Sequence, residues 1–244
     1  MSRPRPDLSP LPVHLVRAAV ARSLEEDLGL SGDITSQACL PAEARARVVM
    51  ATRKAGIVSG TQLAVEAFRQ MDPDVTVTLL KQDGEAIEPR DVILKVEGNA
   101  RAVLSAERTA LNFMGRMCGI ASLTARYVEA VAHTKARILD TRKTTPGLRA
   151  FEKYAVLCGG GVNHRFGLFD AILIKDNHVG VAGGVKPALQ RAKRFAGSTV
   201  KIEIEVDSLA QLDEVLAEGA DIVLLDNMSP ALLAEAVKRV NGRI

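Results

Sequence analysis

The sequence predicts an α/β protein, an N-terminal α+β domain followed by an incomplete (β/α) barrel with parallel strands, and three observations predict it. From Ala136 onward, short apolar runs of strand type alternate with runs of helical spacing. Polar residues gather at the carboxyl ends of those strand-like runs. Residues 1–112 mix the two patterns without that alternation and read as a separate α+β domain, with 113–244 as the barrel-like part.

In the first part, His14–Gly29 (HLVRAAVARSLEEDLG) has helical apolar spacing and stops at a glycine, a usual helix-ending residue. Ala46–Thr52, Val75–Lys81 and Val92–Glu97 read as strands, with Thr61–Met71 a helix between the first two. Ala100–Ala132 reads as largely helical, with a break at Cys118-Gly119.

In the second part, strand Ala136–Leu139 leads to the loop DTRKTTPG and the helix LRAFEKYAVLC, ended by Gly159-Gly160-Gly161. Strand Ala171–Ile174 leads to the loop KDNHVGVAGG and the helix Val185–Ala196. Strand Val200–Glu205 precedes helix Leu209–Glu218, and strand Asp221–Leu225 precedes helix Ala231–Val240. Consecutive strand–helix units with short loops imply parallel strands. An open doubly wound sheet shares this pattern, but the chain has no obvious Gly-x-Gly-x-x-Gly dinucleotide turn, which favours the barrel.

In barrels, each strand delivers its last residues and loop to one shared face, where active sites are built. Here Asp140-Thr141-Arg142-Lys143 and Lys175-Asp176-Asn177-His178 form mainly cationic clusters at strand ends. Glu205-Val206-Asp207 and Asp226-Asn227 form acidic ones. Such a rim can hold anionic groups at one side and a hydrated divalent cation at the other. The combination suits a phosphorylated substrate carried with Mg²⁺.

Charge distribution agrees. The net charge of the 244 residues is +3, yet residues 101–175 carry 12 basic and 5 acidic side chains, while both flanking parts are net negative. The middle segment is therefore anion-seeking. Nucleic acid is disfavoured as its partner, because no Trp, two Tyr and six Phe leave few rings to stack bases. Small anions fit better. No apolar run approaches the roughly 18 residues of a membrane-spanning helix, and residues 1–12 are polar and Pro-rich, unlike a signal peptide. Cys39, Cys118 and Cys158 are scattered and odd in number, which suits a reducing compartment. The expectation is a cytoplasmic protein with no membrane partner.

The stretch Cys158–His178 (CGGGVNHRFGLFDAILIKDNH) is the most informative. Its glycines end a helix and allow close approach of backbone to a ligand. Taken singly, His164 could cap a loop, Arg165 could pair on the surface and Lys175 could be solvated. Together with Arg142 and Lys143 on the preceding rim loop, they read better as an anion site.

This stretch, with DTRKTTPGLRAFEKYAV before it, resembles the quinolinate phosphoribosyltransferase family, also called nicotinate-nucleotide pyrophosphorylase (carboxylating). The resemblance runs from EEDLGLSGDITS near Glu25 through AERTALNFMGRMCGIAS to EIEVDSL and VLLDNMSP, most of the chain. It implies an N-terminal sandwich-like domain, an incomplete barrel and a homodimer with shared active sites. It also implies roles by position. Arg142, His164, Arg165 and Lys175 would surround the two carboxylates of quinolinate, and Arg108 would come from the neighbouring subunit. Lys143 would lie near phosphoribosyl pyrophosphate. Glu205 and Asp226 would face the ribose and the Mg²⁺-pyrophosphate side.

Residue chemistry suits those roles. Quinolinate is a dianion, and guanidinium forks match planar carboxylates. As pyrophosphate leaves, the ribose carbon becomes oxocarbenium-like, and a nearby carboxylate stabilises it. The ribosylated ring nitrogen is positive, so the adjacent carboxylate can depart as carbon dioxide. No covalent nucleophile is needed, and the cysteines are expected to have no catalytic role.

Glu107 either orients Arg108 or is an exposed helix carboxylate. Arg116 and Arg137 are assigned to helix surface or interface ahead of the anion site, and His14 and His133 to structural duty on helices. His178 is assigned to phosphate or to a loop hydrogen bond. Family members continue past the equivalent of Ile244 with a further strand and phosphate-binding glycine turns, so weaker phosphoribosyl pyrophosphate binding and an exposed barrel edge are expected. Three other readings remain open on the residues: a molybdenum-transport-associated relative, a Schiff-base aldolase using Lys175, and a truncated non-catalytic paralogue that binds quinolinate.

Overall fold

A computed structural model describes residues 8–244; most of the Pro-rich start lies outside the described residues. By packing, the chain forms two compact units, one ending at His164 and the other spanning Arg165–Ile244.

The first unit opens with helix α1 (Val13–Leu28) and a short α2 (Ile34–Cys39), N-capped by Asp33, whose carboxylate accepts from the Ser36 amide at 2.9 Å. Strands β1 (Arg45–Ala51), β3 (Thr76–Leu79) and β5 (Val92–Asn99) form an antiparallel sheet with β5 central. Paired on both edges, β5 is the most covered of the three and buries Ile93, Leu94 and Val96. β2 (Gly56–Ile57) and β4 (Ala86–Ile87) form a separate two-stranded ribbon. Helix α3 (Thr61–Met71) lies as expected and buries Leu63, Ala64, Ala67 and Phe68 on one face.

The long helix α4 (Ala100–Ala130) runs through Cys118-Gly119 without the expected break. A lone glycine costs only about 1 kcal/mol in a helix interior. Burial of Met114, Met117 and Ala121 on one side offsets that, and Cys118 is fastened by an Sγ bond from the Ser59 amide at 3.3 Å. Residue 112 therefore lies within a continuous helix. His133 is not helical; it sits in an exposed turn beyond α4, while His14 is exposed on α1, so neither belongs to the core.

Expected strand Ala136–Leu139 is reduced to one parallel bridge between Leu139 and Val162. Helix α5 (Arg149–Cys158) follows the rim loop and buries five consecutive residues, Phe151 to Ala155. Its end meets α4 closely. A Cβ on Gly159 would lie 2.4 Å from the Ala121 carbonyl oxygen and 2.7 Å from Thr124 Cβ, so only glycine fits there.

The second unit is a three-stranded parallel sheet, β6 (Ile172–Ile174), β7 (Ile202–Val206) and β8 (Ile222–Leu225), in that order. Helices α7 (Val185–Phe195), α8 (Leu209–Glu218) and α9 (Pro230–Val240) accompany it. Val185, Leu189, Leu212, Val215 and Ala236 pack with Ile174, Ile204 and Val206 to form its core. The segment expected as a loop after β6 contains helix α6 (Asp176–Ala182). Among the described residues, no helix is long and apolar enough to cross a membrane.

Candidate active site

In the first unit, the rim loop from Asp140 to Gly147 is fastened at both ends by α5. At its start, Asp140 and the Lys153 ammonium form an ion pair with both side chains buried. Asp140 Oδ1 also accepts from the His164 amide at 2.9 Å, and Lys153 Nζ donates to the His164 carbonyl at 3.0 Å. With its side-chain amide turned to satisfy its neighbours, Asn163 donates to Asp140 Oδ2 at 2.7 Å. At the loop's far side, buried Glu152 accepts from Arg116 Nε at 2.8 Å and from the Thr145 amide at 3.2 Å. Arg116 also reaches the Thr145 hydroxyl. Burial alone would raise the Glu152 pKa, but hydrogen bonds from Arg116 and Thr145 outweigh it and hold it below the usual value.

Arg116, expected on the helix surface or at an interface, is thus engaged within the chain. Glu152 and Lys153 were not anticipated as site residues. Their signal was faint: two charges in a helix squeezed between two rim motifs, with an aspartate ending the strand before it.

Between the fastened ends stand Arg142 and Lys143. Arg142 Nε is buried and has no hydrogen-bond partner among the described residues. An unsatisfied buried donor costs about 1–3 kcal/mol, which an anionic ligand would recover. Lys143 is exposed, and its amide donates to Thr141 Oγ1 at 3.0 Å. Arg108 lies exposed on α4, beside a hollow of ≈ 270 Å³ lined by Asp27, Asp33 and Ser105.

In the second unit, Arg165 also has a buried Nε without a partner, while its Nη1 donates to the Ala171 carbonyl at 3.1 Å. The parallel register sets Ile174 beside Ile204 and Glu205 beside Leu224, so Lys175, Glu205 and Asp226 emerge at one sheet end. Lys175 Nζ lies 3.2 Å from Glu205 Oε2. Lys175 of one cationic cluster is therefore paired with Glu205 of an acidic one, where the sequence suggested opposite sides. His178 Nδ1 accepts from the Lys175 amide at 2.9 Å and caps α6, which is the loop hydrogen bond of its two expected roles.

Glu205 and Asp226 line a cavity of ≈ 320 Å³ together with Asp176, Asp207, Gln211 and Asn227. Asp226 accepts from the Asn227 side-chain amide at 2.7 Å, and Asn227 sits at φ 53°, in the left-handed region. Among the described residues, no three His, Cys, Asp or Glu side chains group closely enough to hold a metal ion unaided.

Each unit thus carries an arginine whose Nε is buried with no hydrogen-bond partner among the described residues, and the second adds a carboxylate-lined cavity. These features suit an α/β protein that takes small anions. The chain belongs to the quinolinate phosphoribosyltransferase family: its N-terminal domain model matches residues 33–118 and its C-terminal domain model residues 120–244. A nicotinate-nucleotide pyrophosphorylase [carboxylating] of Mycobacterium leprae is 45% identical over 225 residues, covering 91% of this chain and 79% of the relative. A probable nicotinate-nucleotide pyrophosphorylase [carboxylating] of Bacillus subtilis is 43% identical over 219 residues, with 90% and 75% covered. The solved nicotinate-nucleotide pyrophosphorylase of Francisella tularensis is 40% identical with a TM-score of 0.92, covering 97% of this chain and 83% of that one.

Proposed function

We propose that the chain transfers the phosphoribosyl group of phosphoribosyl pyrophosphate to the ring nitrogen of quinolinate, releasing pyrophosphate and carbon dioxide and leaving nicotinate mononucleotide. Membership of the family supports the reaction, and the unpartnered buried Nε atoms of Arg142 and Arg165 are the observation that carries the substrate class. Guanidinium donors of this kind suit the two carboxylates of quinolinate.

In this reading, Arg142, His164, Arg165 and Lys175 bind the dicarboxylate, and Lys143 attends the phosphoribosyl donor. Glu205 and Asp226 face the developing positive charge on the ribose and stabilise it electrostatically. Glu205 already holds Lys175 at 3.2 Å, so the carboxylate that faces the ribose also aims an ammonium that binds the acceptor. The cavity lined by Glu205, Asp226, Asp176 and Asp207 would suit Mg²⁺ carried in by phosphoribosyl pyrophosphate. When bound, the ion would neutralise the leaving group. Arg108, exposed on α4 and unpaired among the described residues, fits a homodimer in which it serves the neighbouring subunit's site.

Purified chain incubated with quinolinate, phosphoribosyl pyrophosphate and Mg²⁺ should form nicotinate mononucleotide and carbon dioxide in equal amounts. Quinolinate binding without product would mark a binding protein, and no binding would remove the dicarboxylate assignment.

A further inference from the structure

We infer that the adjacent pair Glu152-Lys153 is a positioning device that presets the anion-binding loop 140–147 for the dicarboxylate; this rests on the function proposed above. Both residues lie on α5, and both are buried. Neighbouring residues on a helix point about 100° apart, so one dipeptide can reach two places on the same loop. Lys153 takes the start, through Asp140, and the backbone of His164. Glu152 takes the far side, through the Thr145 amide, and is itself gripped by Arg116 from α4. Arg149, one turn earlier on α5, adds an Nε bond to Thr144 Oγ1 at 3.1 Å.

The only loop residues left between these points are Thr141, Arg142 and Lys143. Two of them are the loop's cations. Arg142 can then keep an unpaired buried donor, because the backbone on either side is not free to move and quench it. A loop fastened only at one end would relax until the guanidinium found a carbonyl. The pair touches no substrate in this scheme. Lys153 spends its charge on Asp140, and Glu152 spends its own on Arg116.

The inference separates positioning from mere stability by kinetics. A structural defect reduces the amount of folded enzyme, so kcat falls and KM stays. A displaced Arg142 instead raises KM for quinolinate while kcat at saturation is largely kept. Arg116→Gln is the first variant, because Arg116 is half exposed and glutamine keeps a donor for Glu152. Lys153→Met and the charge-neutral double variant Asp140→Asn with Lys153→Met complete the set. Backbone hydrogen exchange of the 140–147 segment is measured on each, because it reads loop order whether or not product forms.

Expected are faster exchange confined to that segment and KM for quinolinate raised about tenfold in Arg116→Gln, with kcat within about threefold. Lys153→Met should be more severe, and the double variant should recover part of the protection. Unchanged exchange in the loop for folded Arg116→Gln and Lys153→Met would overturn the inference, whatever the activity. Lack of product from the unaltered chain would instead count against the proposed reaction and leave the exchange result to judge the loop.

Discussion

Lys175 and Glu205 face each other at the ends of neighbouring parallel strands, Nζ to Oε2 3.2 Å, with the lysine half exposed and the carboxylate mostly covered. A pair with one partner this exposed contributes about 0–1 kcal/mol to stability. On the function proposed above, its contribution is to the reaction. Glu205→Gln is expected to move the thermal midpoint by no more than a few degrees and to lower kcat at least tenfold. Melting curves and steady-state rates on the same preparation check this; a large loss of stability with normal kcat would contradict it.

Arg142→Ala should raise KM for quinolinate roughly 10- to 100-fold, the equivalent of losing a charge-assisted hydrogen bond of about 1.5–3 kcal/mol. It should not destabilise the fold, since its buried Nε has no protein partner to lose. Calorimetric titration with quinolinate and urea unfolding would read the two effects separately.

Asp226→Asn keeps the shape of the cavity and the company of Asn227 but removes the negative charge. Turnover should fall by about 10²-fold, in the range of other lost electrostatic stabilisers, with KM for quinolinate within about threefold. Normal turnover in the presence of Mg²⁺ would take Asp226 out of the reaction.

Glu152 makes stability depend on acid pH. Burial opposes its ionisation, but the Arg116 and Thr145 hydrogen bonds prevail, so its folded pKa lies below the usual 4.5. A depressed folded pKa gives stability that is present above the unfolded value and lost as pH falls through the folded one. Glu152→Gln should therefore be less stable than the parent at neutral pH, with the gap narrowing as pH drops below about 4.5. Urea midpoints at neutral pH and near pH 3 test the sign.

The cysteines divide by exposure. Cys39 is exposed, whereas Cys158 is buried and burial pushes its thiol up to about 12. Iodoacetamide on the folded protein should label Cys39 and spare Cys158, with activity retained, as peptide mapping by mass spectrometry would show. Rapid labelling of Cys158 without unfolding would argue against the packing around Ser59 and Tyr154.

Much of this arrangement was legible in the chain. Thr61–Met71 could be placed to the residue because its apolar positions follow one helical face and a glycine precedes it. The parallel units after Ala171 were visible in their alternation, and the rim clusters followed from where strands end. Helix α6 was not legible: Gly180 and Gly183-Gly184 resemble a loop, and the bond from the Lys175 amide to His178 that starts the helix is a matter of local geometry. Strand Ala136–Leu139 had the right composition, yet pairing needs a neighbour, and Val162 offers only one bridge. Glu152 and Lys153 were hidden for a deeper reason. Charged residues in a helix usually face water, and only the surrounding fold shows that these two are enclosed and neutralised.

The closeness of α4 and α5 at Gly159 carries a genetic consequence. Gly159 has no chemistry of its own, yet a single methyl there would press on the Ala121 carbonyl and the Thr124 side chain. The backbone carbonyl cannot swing aside, so α5 itself must yield, and Glu152 and Lys153 travel with it. An alanine allele at this position would then behave as a leaky catalytic mutant while sitting in a helix–helix seam. Variation in such a protein is constrained by spacing as firmly as by charge, and a survey of damaging alleles would find its glycines alongside its arginines.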